Sequence, residues 1–338
     1  MDSRIESRIQ GWLDFYEGKR RDVVLVGSAS NHGPAPLPNP ENTQARIEHA
    51  LLSYRGQVNA LEWADDDWIP HLSPYTGTEI FAEAFGCRVH RPDNNNPFAL
   101  PLITGAADLH TLKMPKLENS TLMRIFEIAD KLADAEPGAI MRLPDIQSPF
   151  DIAALIWEKG DFYASMHEEP SAVKDLVAMT EALLTEFLDK WFARYGKSFV
   201  AHFPSYYMPY GITLSEDEVG AISPGMFEEF SLDCLNRLSA RYGMIGIHCC
   251  ADSEHQWALF NKVNHLTLLN FVQPDAVIHK AYKYFRDTCC QFHMGASEFP
   301  LDPGIRVVLH GGASDQDGVI NACERLRTVS AARAAAHV

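Results

Sequence analysis

The residues best suited to chemistry lie in a short run, His248-Cys249-Cys250, at the end of an apolar stretch. On an extended strand, residues two apart point the same way. The His248 imidazole and the Cys250 thiolate would therefore face one point, with Cys249 turned into packing. Zinc favours this mixture of nitrogen and sulfur ligands. A buried histidine beside two small apolar cysteines is the plainer alternative. The pattern leaves the third ligand open: His293 is the first choice, with His310 and Cys290 as alternatives. A second chemical run, Ser215-Glu216-Asp217-Glu218-Val219-Gly220, gathers three acids. Asp217 and Glu218 are candidate acids or bases, or oxygen ligands to a metal, although the run also suits a solvated loop. Tyr206 is a further catalytic candidate.

An active site needs elements that bring such groups together. Eight apolar runs read as buried strands: Val23–Val26, Val58–Trp63, Ala139–Leu143, Phe199–Phe203, Met244–His248, Leu266–Phe271, Cys290–Met294 and Arg306–His310. Helical patterns separate them, such as Ala172–Ala193 and Pro224–Arg241, the latter opened by Ser223 and Pro224. Runs of this kind suit parallel strands covered on both faces. The alternation predicts an α/β fold, a single (β/α)8 TIM barrel over residues 1–338, with an N-terminal helix over 1–21 and a C-terminal tail over 329–338. No G-x-G-x-x-G follows the first strand, which argues against a dinucleotide fold. The stretch Gly295 to Ile305 is too short for an ordinary connecting helix.

Barrel sites sit at the C-terminal ends of the strands. Reading past each strand gives the substrate-binding candidates His32, Asp67 and Asp145, with His202 inside the fourth strand and Tyr207 after it. Asp65, Asp66 and Asp67 are adjacent acids that need relief from mutual repulsion.

The formal charge of −16 and the absence of a long apolar run exclude nucleic acid and membrane as expected partners. Seven cysteines, two pairs of them vicinal, and a charged N-terminus without a signal-peptide core point to a reducing cytoplasm.

Several segments together resemble the uroporphyrinogen decarboxylase superfamily. They are Gly77-Thr78 through Ala82-Glu83-Ala84-Phe85-Gly86-Cys87, the Pro97 to Pro101 loop, and Leu143 to Ala154 with Ser148-Pro149-Phe150. Asp217-Glu218-Val219-Gly220 through Ile222-Ser223-Pro224-Gly225-Met226-Phe227, and Ile247-His248-Cys249-Cys250-Ala251, complete the set. Their order, over residues 60 to 325, is closer to the cobamide-dependent and O-demethylase methyltransferases than to the true decarboxylases. The resemblance implies a (β/α)8 barrel, with zinc on His248 and Cys250. It implies methyl transfer between a small methyl donor and a corrinoid protein or thiol acceptor, and leaves room for a homodimer. Two departures stand out. Ala313 occupies the place of the coenzyme-M-type third cysteine, in Gly311-Gly312-Ala313-Ser314. No arginine clamp follows the first strand, where Gly27-Ser28-Ala29-Ser30-Asn31-His32-Gly33 stands. The alternative expectations are a cofactor-independent decarboxylase of a tetrapyrrole-like or other carboxylated substrate, and a non-catalytic corrinoid or tetrapyrrole carrier.

Overall fold

The computed structural model describes residues 2–28, 37–38, 41–74, 77–92, 97–294 and 298–336. The barrel wall is built from β1 (Asp22–Gly27), β2 (His71–Leu72), β3 (Ile140–Met141), β4 (Ile212–Ser215), β5 (Ile245–Cys249), β6 (Leu266–Phe271), β7 (Cys290–Gln291) and β8 (Val307–Gly312). Six of these form one parallel sheet in the order β1-β8-β7-β6-β5-β4. β2 pairs with β3, also in parallel. Two links close the circle. Gln147, beyond β3, bridges Ser215 of β4, and the backbone N–H of Asp67 donates to the Val24 carbonyl of β1 at 2.7 Å. The chain is thus a TIM barrel. Among the described residues no helix is long and apolar enough to cross a membrane.

The wall differs from the sequence expectation at two strands. Val58 lies in the last turn of the helix Thr43–Ala60 rather than opening a strand, and Leu61–Trp63 form the turn after it. Ile212–Ser215, a run of four buried residues, supplies a wall strand that was not anticipated. It follows Gly211, whose φ of 99° and close approach to the Met244 carbonyl leave no room for a Cβ. Phe199–Val200 pairs antiparallel with Tyr207–Met208, a hairpin set between β3 and β4.

The N-terminal helix Ser3–Tyr16 closes the end of the barrel opposite the strand tips. Tyr16 Oη donates to the Tyr207 carbonyl at 2.7 Å, and Trp12 Nε1 donates to the Asp67 carbonyl at 2.9 Å. At the other terminus the expected tail is instead part of the helix Gln316–Ala335. Arg333, fully buried there, meets Asp22 at 3.3 Å and donates to the Ile305 carbonyl at 2.6 Å. No helix separates β7 from β8 among the described residues.

The displaced second strand changes the role of the triple acid. Asp65, Asp66 and Asp67 precede β2 rather than follow it, so they lie away from the strand tips. Asp67 is buried, paired with Arg20 at 2.6 Å and Arg327 at 3.2 Å, and it accepts from the Val24 N–H at 2.7 Å. Asp66 pairs with Arg8 at 3.0 Å. Asp67 therefore fastens β1 to both termini, away from the strand tips. Removing one partner of a buried ion pair strands the other charges. Asp67→Ala should cost about 3 kcal/mol, read as a lowered denaturant midpoint, while the catalytic constants of the folded fraction stay unchanged.

Candidate metal centre

Parallel register places three polar residues in one row across the wall. Ser215 of β4 lies beside His248 of β5, and His248 beside Asn270 of β6. Residues two positions beyond then meet at the strand tips. One carboxylate oxygen of Asp217, one ring nitrogen of His248 and the Cys250 sulfur all lie within 4.8 Å of one another. Among the described residues this is the one group of three such side chains able to hold a metal ion.

The surrounding contacts fix each member. The Glu216 N–H donates to the His248 carbonyl at 2.8 Å, stitching the two strand ends together. The Cys250 N–H donates to Asp217 Oδ1 at 2.6 Å. Asn270, fully buried, donates from its amide to the Phe292 carbonyl, so its oxygen must accept from His248 Nδ1. That contact leaves the Nε2 lone pair of His248 as the one presented to the site. Cys249 turns outward as alternation requires and is buried against Ser253, with its sulfur 3.4 Å from the hydroxyl. Cys250 is exposed. Partial burial and the nearby Asp217 push its thiol up to about 12, so a bound cation would have to displace the proton.

Behind the group stands Asp151, on the helix Pro149–Ile156 that Ser148 caps. Its carboxylate accepts from the Asp217 N–H at 2.7 Å and the Glu218 N–H at 3.0 Å. Burial, reinforced by Glu216 and Asp217, holds the Asp151 carboxyl well above the ordinary range. The two backbone donors offset that cost and pin the acidic loop. Glu216 is fully buried, and burial pushes it up to about 8; Ser231 donates to it at 3.1 Å from a π-helical turn, Glu228–Leu232. Such turns shift side chains out of the ordinary helical phase.

The candidate residues part company in space. Asp217, His248 and Cys250 come together. Glu218 turns away, held by Lys159 and the Tyr163 hydroxyl. His293 points outward, the reverse of the expected orientation: Phe292 takes the inward position of the two. The His293 ring lies flat on Phe271 at 5.2 Å, accepts from the Phe271 N–H at 3.0 Å, and contacts Gln291 at 2.8 Å. Both nitrogens are engaged and burial pushes the ring down to about 3, so it is not the third ligand. Cys290 is fully buried in the wall, and His310 lies between Phe292 at 5.1 Å and Phe299 at 5.4 Å. Neither belongs to the group.

Tyr206 and Tyr207 are also misplaced by the sequence reading. Tyr206 fills the space over Gly246 inside the barrel, where a Cβ would collide with its hydroxyl. Tyr207 joins the hairpin tied to Tyr16 near the closed end. Both are packing residues. Asp145 and His202 do meet at the open end, 3.4 Å apart. Burial pushes Asp145 up to about 7, against the opposing pulls of its Gln147 hydrogen bond at 2.9 Å and of Arg142. Burial, then Arg142 and His248, drive His202 well below its ordinary value, so this contact is not an ion pair at neutral pH. Phe203 stands edge-on to the His248 ring at 5.0 Å and is 45% exposed, forming an apolar wall beside the group. His32 lies outside the described residues.

The uroporphyrinogen decarboxylase (URO-D) family profile matches residues 75–283. The chain belongs to this family. None of the curated proteins compared with it matches. Among solved structures, a methyltransferase from Methanosarcina mazei superposes with a TM-score of 0.67 at 14% identity, covering 99% of both chains. At that identity the likeness concerns the fold.

Asp151 shapes the loop that presents Asp217. Asp151→Ala should therefore lower zinc affinity at least tenfold, measured by competition with a chromophoric chelator. Asp151→Glu should restore part of it, and an unchanged affinity in the alanine variant would rule out this positioning role.

Proposed function

We propose that this chain is a zinc-dependent methyltransferase, in which Asp217, His248 and Cys250 hold the metal. The observation that carries the reading is the convergence of oxygen, nitrogen and sulfur donors within 4.8 Å at neighbouring strand tips. The donor set fits zinc: one imidazole with its distal nitrogen anchored, one thiol and one carboxylate, three protein ligands as in catalytic rather than closed structural sites. When bound, zinc would supply Lewis acidity toward a thiol or a leaving oxygen. The structural neighbour described as a methyltransferase supports the choice of reaction, as do the H-x-C and acidic motifs. The acceptor in this reading is a corrinoid protein or a thiol.

The chain's own residues supply the rest. Phe203 shields one side of the His248 ring from water. Asn270 holds that ring in a single orientation. Asp145, its carboxyl raised to about 7 by burial, is partly protonated at neutral pH and can give that proton to a departing group.

Two measurements test the reading. Purified protein should hold about one zinc per chain by elemental analysis, and His248→Ala should lose it together with methyl transfer; zinc-free protein with full activity would sink the mechanism. The Asp145 carboxyl is raised relative to a free aspartate, so its acid form prevails below about 7 and is lost above it. The ratio kcat/KM should accordingly fall as pH rises through 7, and Asp145→Asn should lack that limb, running low and flat.

A further inference from the structure

At the closed end of the barrel a cavity of about 360 Å³ lies between the N-terminal helix and the strand starts, within the size range of small-molecule sites. Leu13 and Tyr16 of that helix line it on one side, and Met244 and Leu266, where β5 and β6 begin, line it on the other. Pro209 and Tyr210, the latter 47% exposed, add a flat apolar rim. Gly243 makes room for the Tyr210 ring: its φ is 96°, and a Cβ there would come within 3.1 Å of the ring. The cavity and the metal centre are at opposite ends of the same strands.

Arg306, the residue before β8, gives the cavity its charge. Its Nη1 donates to the Tyr16 carbonyl at 2.8 Å and so ties the end of the N-terminal helix to the wall. That bond leaves the Nε–H and Nη2–H edge spare, with no acceptor and no ion-pair partner among the described residues. Arg306 is half-buried, and these spare nitrogens are open to the cavity. Glu17, the one acid on the cavity wall, is engaged by Lys19 at 2.5 Å. His265 adds an imidazole that has no hydrogen-bond partner among the described residues. The Nε–Nη2 edge of a guanidinium pairs side-on with a planar carboxylate. One such edge beside a neutralised acid suits a monoanion better than a dianion. The aliphatic walls and the tyrosine rings suit a flat apolar body.

We propose that this closed-end cavity is a second ligand site, separate from the metal centre, for a small aromatic monocarboxylate. The carboxylate lies on Arg306 and the ring lies against Tyr210. A ligand so placed touches the N-terminal helix, the loop before β4 and the starts of β5 and β6 together, and holds them to one another.

Calorimetric titration of the unaltered protein tests the proposal, with phenylacetate, 4-hydroxybenzoate and indole-3-acetate each set against its amide, and with hexanoate and inorganic phosphate as controls. At least one aromatic acid should bind about tenfold more tightly than its amide and more tightly than hexanoate, and phosphate should not displace it. Its binding should raise the thermal midpoint and slow amide exchange over residues 13–17 and 265–267, which border the cavity. Arg306→Gln should abolish the preference for the acid, Arg306→Lys should keep part of it, and His248→Ala should leave it intact. If Arg306→Gln does not fold, Arg306→Lys and Tyr210→Ala decide: the first should weaken the preference, and the second should weaken acid and amide alike. No binding by any of the aromatic acids, equal binding of acid and amide, displacement by phosphate, or a preference unchanged in the Arg306 variants overturns the proposal. So does exchange protection confined to the open end, or a preference lost in His248→Ala, since either would put the acid at the metal centre.

Discussion

The parallel register between β4, β5 and β6 is the constraint on which the centre depends. It sets Ser215, His248 and Asn270 side by side, and the Glu216 N–H locks the row by donating to the His248 carbonyl at 2.8 Å. A slip of one residue would exchange inward for outward side chains on the moved strand. His248 would leave the barrel and Cys249 would enter it. The apolar outer faces of these strands, packed under helices, prevent that slip: Ile245, Ile247, Leu269 and Phe271 are each at most 1% exposed.

Around this row the molecule accepts local costs. Asp151, Glu216 and Asp145 are carboxyls taken out of water, and Arg142 is a cation treated likewise. Each keeps some hydrogen bonds, and none is relieved by a close opposite charge among the described residues. The acids near the closed end contrast with them: Asp66, Asp67 and Asp22 all have arginine partners within 3.3 Å. Paired charges hold the closed end together, while the incompletely paired ones collect at the strand tips, where a ligand can reach them. Perturbed groups gathered in this way are a mark of functional sites.

Much of the fold was legible in the sequence because it is local. Seven of the eight expected strand runs overlap observed strands, since continuous apolar runs report burial on both faces. The eighth failed for an understandable reason: the run at Val58 spans the end of a helix and the turn that follows it, and short apolar runs do not distinguish helix from strand. That error carried Asp67 to the wrong end of the barrel. Asn270 and Asp151 went unremarked, although a lone amide in Leu266–Phe271 and a lone acid in Pro149–Ile156 were visible signals of polar groups with an appointed partner.

By itself the sequence determined that His248 and Cys250 share a direction, because side-chain alternation along a strand is a property of two neighbouring residues. It also determined that an acidic run stands in a loop, and that Cys249 packs away from the centre. Only the tertiary structure decided that Asp217 completes the group and that His293 does not. Which strand tips are neighbours depends on how the barrel closes, and which face a residue takes depends on the helix laid over it. Both are set by contacts between segments far apart in the chain, to which spacing along the chain is blind.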